Sequence, residues 1–193
     1  MECRTILDRQ TDKRIVITGG KGYISALLFD YLRQCGYTDI QRISIREDNF
    51  EIPDSDVLIH IAGIVPGKEQ SEDDFYTINY MKTVRLVDQA CMLKNKKIIY
   101  LSSMSIYNNN NQRKSKKGIT IDTIPLPESA YAESKWNAER YIINHSDNMT
   151  YCILRVPSLY DNKKMEYFQN FSLPIKKIKV LPLFCNVPRV GIL

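Results

Sequence analysis

The stretch "KRIVITGGKGYISALLFDYLRQCG", residues 13–36, decides the fold. It opens on a short apolar, β-branched run, Ile15 to Thr18, which stops at glycines. Such a run reads as a strand buried on both faces. Further on, Ile24, Leu27, Leu28, Tyr31 and Leu32 recur at helical spacing, and Gly36 supplies a stop. Between strand and helix lie Gly19, Gly20 and Gly22. Glycine there lets the backbone take positive φ and come close to a pyrophosphate, while the helix behind presents amides and the positive end of its dipole. Many strand–helix turns carry glycine. The place of this cluster, between a first strand and a first helix, is what makes it a dinucleotide turn. In the T-G-x-x-G-x-x-G pattern the third glycine is Ser25, small enough for close packing.

Outward from this turn the same rhythm continues. "DIQRISIR" (39–46) reads as a second strand and "DVLIHIAG" (56–63) as a third. "YTINYMKTVRLVDQACMLKN" (76–95) is a long helix, "KKIIYLSS" (96–103) a fourth strand and "MTYCILRVP" (149–157) a fifth. Between the last two lie a polar loop and a helix carrying "SAYAESKWNAERYI" (129–142). Apolar strands alternating with helices predict an α/β protein, a Rossmann-type doubly wound parallel sheet covered on both faces. Beyond Arg155 the alternation stops. The expected organisation is an N-terminal extension at 1–13, an NAD(P)-binding Rossmann domain at 14–160, and the start of a substrate-binding region at 161–193.

At 193 residues the chain is long enough for one domain with a sizeable core. Hydrophobic residues make up 44% and charged residues 25%, which suits a soluble globular protein. No apolar run reaches the length of a membrane span, and the start "MECRTILDRQTDKR" lacks a secretory signal, so membrane insertion is not expected. Cys3, Cys35, Cys91, Cys152 and Cys185 are scattered without a C-x-x-C pair, which fits the reducing cytoplasm. His60 and His145 are too far apart in sequence to suggest a metal site. The net charge of +5 owes much to two basic runs, 112–118 and 176–179. Neither interleaves aromatic residues in the manner of a nucleic-acid surface, so no nucleic-acid partner is expected. An anionic small ligand is the milder use of the same field.

A dinucleotide site also needs a ribose reader after the second strand. Arg46, Glu47 and Asp48 stand there. An acid suits a free 2′-hydroxyl and an arginine a 2′-phosphate, so NAD is expected, with Arg46 allowing NADP. In "SAYAESKWNAERYI", Tyr131 and Lys135 are four residues apart and share a helix face. A free tyrosine has a pKa of about 10. A neighbouring ammonium and an oxidised nicotinamide lower it, so that the phenolate can take a proton from a substrate hydroxyl. The fourth strand ends in Ser102 and Ser103, at the sheet edge where such folds bind ligands. A hydroxyl there can orient the substrate oxygen.

With these pieces in place, the sequence resembles the extended short-chain dehydrogenase/reductase superfamily, specifically its NAD-dependent epimerase/dehydratases acting on nucleotide sugars. The matching pieces are "ITGGKGYIS", "DVLIHIAGI", "YTINYMKT", "IIYLSSMSIY", "AYAESKWNAE" and "ILRVPSLYD". "ISIRED" and "VLPLFCNVPRVGIL" resemble the bacterial capsule and surface-polysaccharide branch, near the UDP-glucose/galactose 4-epimerases. The resemblance implies Gly19 and Gly22 at the pyrophosphate, with the Tyr23 and Ile24 backbone facing it. It implies Ala62, Gly63 and Asn79 along the cofactor, and Val156 and Pro157 near the nicotinamide. Ser103 is implied as the catalytic hydroxyl, with Ser105 the competing candidate, Tyr131 as the base and Lys135 as its partner and ribose ligand. Ser158 is implied on the substrate side, with Ser103, Ser105 and Tyr131. The implied activity is 4-epimerisation of a UDP-hexose through transient oxidation at C4, without a metal.

Family members continue past "RVGIL" into a substrate domain, so that domain is expected to be largely missing here. The alternative is therefore an inactive NAD(P)-binding module. The apolar terminus further predicts association, for which a homodimer is the simplest form.

Overall fold

The computed structural model describes residues 12–67, 69–93, 95–107, 119–120, 122–146 and 149–157. Five strands form one parallel sheet in the order β2-β1-β3-β4-β5. They are β1 (Ile15–Thr18), β2 (Ile40–Ile43), β3 (Val57–His60), β4 (Lys97–Ser103) and β5 (Thr150–Val156). Helix α1 (Tyr23–Gln34) joins β1 to β2. A composite helix follows β3: α2 (Glu72–Asp74), a π-helical segment (Phe75–Met81) and α3 (Lys82–Met92). A 3-10 turn (Met104–Tyr107) leaves β4, and α4 (Ala130–His145) precedes β5.

All four residues of β1 are buried, Thr18 included, as an interior strand covered on both faces requires. Helix α1 ends at Cys35, and Gly36 follows with φ of 93°, the left-handed residue that closes a helix. Ser71 caps α2 by accepting from the Asp74 amide, while the Asp74 carboxylate accepts from the Ser71 amide. Ser129 caps α4 at the Ala132 amide.

The main core lies between the sheet and α3 with α4. Leu58, Ile98 and Tyr100 from the strands meet Leu86, Val87, Ala90, Ala138 and Ile142 from the helices, all fully buried. The second strand is shorter than the sequence suggests. It ends at Ile43, because the chain then turns to bury Ile45, Phe50 and Ile52 in this core. Gln89 anchors that excursion, accepting from the Ile52 amide and donating to the Phe50 carbonyl. Helix α1 packs on β1 and β2. Its half-buried Leu28 faces inward while Ile24 and Leu27 stay exposed. No helix among the described residues is long and apolar enough to cross a membrane.

The strand order matters for the site. From β1 the chain runs outward to β2 and returns to β3 on the other side of β1. Right-handed crossovers in opposite directions leave a crevice at the carboxyl ends of β1 and β3.

Candidate active site

The glycine turn occupies one wall of that crevice. Gly19 has φ of 86°. The Gly22 amide donates to its carbonyl at 2.6 Å, and the Gly20 amide donates to the Ile43 carbonyl at 2.8 Å. A Cβ on Gly22 would stand 3.0 Å from the Gly19 oxygen, and one on Gly20 3.1 Å from the Ile43 oxygen. Side chains are thus excluded and backbone faces the crevice. No side chain caps the start of α1, which leaves its amide dipoles for an anion. Ser25, at the third glycine position, is buried and works as a tie. Its hydroxyl lies 2.5 Å from the Gly19 oxygen and 3.0 Å from the Gly22 oxygen.

The cation at this turn is Arg42, a residue that the sequence presents only as part of a strand. Its Nη2 lies 2.5 Å from the Gly20 carbonyl and 3.2 Å from Ser25 Oγ. Arg46, the residue singled out from sequence, is exposed beyond the strand end. Its amide donates to Ser44 Oγ at 3.3 Å, and its carbonyl accepts from Lys82.

Opposite stands the turn after β3. Thr18 Oγ1 accepts from the Ile61 and Ala62 amides, each at 3.0 Å, and lies 2.8 Å from His60 Nδ1. His60 Nε2 lies 2.8 Å from Thr83 Oγ1, whose proton goes to the Asn79 carbonyl at 2.6 Å. With the Thr83 proton so used, Nε2 must be the donor and Nδ1 the acceptor from Thr18. Burial, with the charge of Lys135 second, drives the His60 pKa down to about 3, so the ring is neutral.

A Cβ on Gly63 would lie 2.9 Å from Asn79 Oδ1 and 3.4 Å from Lys135 Nζ. Asn79, also buried, clasps the next residue, accepting from the Ile64 amide at 2.7 Å and donating to its carbonyl at 3.0 Å. It also donates to Ser134 Oγ at 3.3 Å, tying the loop to α4. Ala62, Gly63, Asn79 and Lys135 are therefore gathered in one place.

Ser103 and Tyr131 are neighbours across the crevice. Burial holds the Tyr131 phenol above its ordinary pKa, and the nearby Ser103 hydroxyl opposes the rise. The Phe75 ring packs edge-on to Tyr131 at 5.7 Å between centroids. Lys135 is 5% exposed. Its Nζ donates to the Leu101 carbonyl at 3.0 Å and lies 4.9 Å from the centre of the Tyr100 ring. Burial lowers its pKa to about 8, against the opposing charge of Glu139. The ammonium thus turns to a strand carbonyl rather than to the phenol oxygen.

The two serines ending β4 part company, as alternation requires. Ser102 is buried on the helix side and donates to Glu139. Ser103 faces Tyr131, and its Oγ accepts from the Ser105 amide at 3.1 Å. Ser105 Oγ is buried and finds no partner among the described residues. Val156 pairs in register with Ser103, which puts β5's end beside the site. Pro157 follows, exposed. Ser158 lies outside the described residues, as does the region expected at 161–193.

Sequence reasoning also missed an ion pair beneath these groups. Arg155 donates from Nη2 to Glu139 Oε2 at 2.7 Å and from Nε to both carboxylate oxygens at 3.0 and 3.2 Å. Its Nη1 donates to Tyr107. An arginine inside an otherwise apolar strand was the available signal.

A doubly wound parallel sheet with a glycine turn at its switch point and a serine–tyrosine–lysine constellation beside it defines a Rossmann-type protein of the short-chain dehydrogenase/reductase kind. More particularly, the chain belongs to the NAD dependent epimerase/dehydratase family, whose model matches residues 15–174. Among solved structures it is similar to a UDP-glucuronic acid 4-epimerase from Bacillus cereus in complex with NAD. The two are 24% identical with a TM-score of 0.64, over 76% of this chain and 56% of that one. It is also similar to MoeE5 in complex with UDP-glucose and NAD, at 20% identity and a TM-score of 0.62, over 73% and 53% of the two chains. A third likeness is RMD from Pseudomonas aeruginosa complexed with NADPH, at 20% identity and a TM-score of 0.59, over 76% and 54%. The chain spans about half the length of these solved relatives. No curated protein matches it.

Proposed function

We propose that the chain carries the cofactor and proton-transfer half of an NAD(P)-dependent nucleotide-sugar epimerase/dehydratase. The reaction is the 4-epimerisation of a UDP-hexose through transient oxidation at C4, serving surface-polysaccharide synthesis in the cytoplasm. The observation that carries the reading is the gathering of Gly63, Asn79 and Lys135 at the carboxyl ends of the strands, with Ser103 and Tyr131 as neighbours beside them. The glycine turn, tight against a Cβ at Gly20 and Gly22 and uncapped by any side chain at the start of α1, fits a pyrophosphate. Solved structures similar to this chain that hold NAD, UDP-glucose or NADPH lend support to the ligand class.

When bound, the dinucleotide supplies the acceptor and donor of the C4 hydride. Tyr131 takes the proton of the C4 hydroxyl and later returns it. Ser103 offers its single proton to the same C4 oxygen, holding it within reach of the phenol. Lys135, held by the Leu101 carbonyl beside Gly63, supplies a donor to the ribose. The buried Asn79 clasp fixes the backbone that this lysine packs against.

The test is calorimetric titration of the purified chain with NAD and NADP, then incubation with UDP-glucose or UDP-glucuronic acid and chromatographic detection of the C4 epimer. Tyr131→Phe is expected to bind dinucleotide within about threefold of wild type and to lose roughly 10²-fold or more of any turnover. Absence of dinucleotide binding would reject the reading. Binding without turnover would leave the module reading in its place.

A further inference from the structure

Arg42 has no part in the proton transfer, yet it reaches the glycine turn from below. It stands on β2 in register with Ile17 and so faces the side of the sheet covered by α1, with its guanidinium 5.9 Å from the centre of the Phe29 ring. Nη2 lies 2.5 Å from the Gly20 carbonyl, 3.4 Å from the Gly22 carbonyl and 3.2 Å from Ser25 Oγ. All three acceptors are uncharged, and among the described residues no carboxylate forms a salt bridge with this guanidinium.

The first consequence is geometric. In a trans peptide the carbonyl and the following amide point in opposite directions. Drawing the Gly20 carbonyl toward β2 turns the Lys21 amide toward the crevice. Ser25 holds the Gly19 carbonyl, while the Gly20 amide of that peptide donates to the Ile43 carbonyl. The second consequence is electrostatic. A positive charge without a counter-ion sits one peptide layer beneath the surface that would meet an anion, where low dielectric strengthens it.

We propose that Arg42 is a positioning residue for the dinucleotide pyrophosphate. It holds the Lys21 amide toward the crevice and sets behind it a positive charge that, among the described residues, no carboxylate pairs. The inference rests on the dinucleotide reading above. Because NAD and NADP share the pyrophosphate, the dependence on Arg42 is common to both, unlike that of a residue reading the 2′-phosphate.

The experiment compares the full chain with Arg42→Met and Arg42→Lys. Calorimetric titrations with NAD and with NADP are run at low and moderate salt, and amide hydrogen exchange is followed in the unliganded proteins. Arg42→Met is expected to weaken both dinucleotides tenfold or more by similar factors, to flatten the salt dependence, and to speed exchange at the Gly20 and Gly22 amides. Arg42→Lys is expected to restore the salt dependence while staying several-fold weaker than wild type, since lysine's compact ammonium lacks the planar guanidinium that packs on Phe29 and reaches the turn. Should Arg42→Met fail to fold, the lysine variant carries the same comparison. Unchanged NAD affinity, a loss confined to NADP, or unchanged exchange at the turn with dinucleotide binding intact would each overturn the role of Arg42. A wild-type chain that binds neither dinucleotide would instead overturn the parent reading, and the pyrophosphate role with it.

Discussion

Replacing Glu139 by glutamine is expected to destabilise the protein far more than the loss of one charge suggests. The carboxylate is fully buried, accepts three hydrogen bonds from Arg155 and one from Ser102, and stands on the helix that carries Tyr131. Removing one partner of a buried pair costs ~3–5 kcal/mol, because the other charge stays behind without compensation. The Arg155 side chain is 25% exposed, so water can relieve part of its strandedness. The lower end, about 3 kcal/mol, is therefore expected. For a chain of this size that corresponds to a fall in Tm of roughly 6–12 °C. The assay is urea and thermal unfolding of the wild type, Glu139→Gln, Arg155→Met, and the double variant Glu139→Leu/Arg155→Met. The double variant removes both charges and should recover most of the loss, less about 1 kcal/mol for Tyr107 and Ser102 left without their partners. A Glu139→Gln protein within about 0.5 kcal/mol of wild type would refute the reasoning, as would a double variant no better than its components.

Two further expectations follow from the walls of the crevice. His60 is held neutral with its folded pKa near 3, below the unfolded value of 6.5. A depressed histidine contributes stability that is complete above pH 6.5 and is lost as the unfolded chain takes up a proton between pH 6.5 and 3, at about 1.4 kcal/mol per pH unit. Urea titrations at about pH 7 and pH 5 should show that loss in the wild type and a smaller one in His60→Gln; equal slopes would reject it. Gly63→Ala should push its methyl group to within 2.9 Å of Asn79 Oδ1, at a cost of about 1–3 kcal/mol in stability and with weakened dinucleotide binding. Unfolding and calorimetry check both, and an alanine variant with wild-type values would show that the clasp gives way freely.

Much of the fold was legible because its signals are local. An all-apolar run ending in glycine has few other uses, and β1, the turn and α1 fall where that pattern puts them. Tyr131 and Lys135 do share a helix face, since the i, i+4 rule depends on helix geometry alone. What the rule does not reach is the choice of partner. Lys135 turns to a carbonyl on β4, a contact set by how deeply α4 packs on the sheet. The second strand shows the same limit: "DIQRISIR" reads as strand throughout, but burial of Ile45 and Phe50 pulls the chain away after Ile43. That shift explains why Arg42, and not Arg46, meets the turn. Glu139 and Arg155 lie on separate elements 16 residues apart, and Arg155, though out of place in an apolar strand, does not name its partner. The π-helical segment left no mark in the hydrophobic spacing of "YTINYMKT".

That segment carries a consequence for how the site tolerates change. Between Phe75 and Met81 the backbone closes wider loops, the Lys82 amide reaching back to the Thr77 carbonyl. Each residue in an ordinary helix advances about 100° around the axis. Deleting a single residue ahead of Asn79 and letting the coil tighten would swing the amide a quarter-turn or more, off the backbone beyond Gly63, with every reactive group still in the chain. Insertions and deletions here act as a rotary dial on the crevice, so length, more than composition, is what this short piece of helix must preserve.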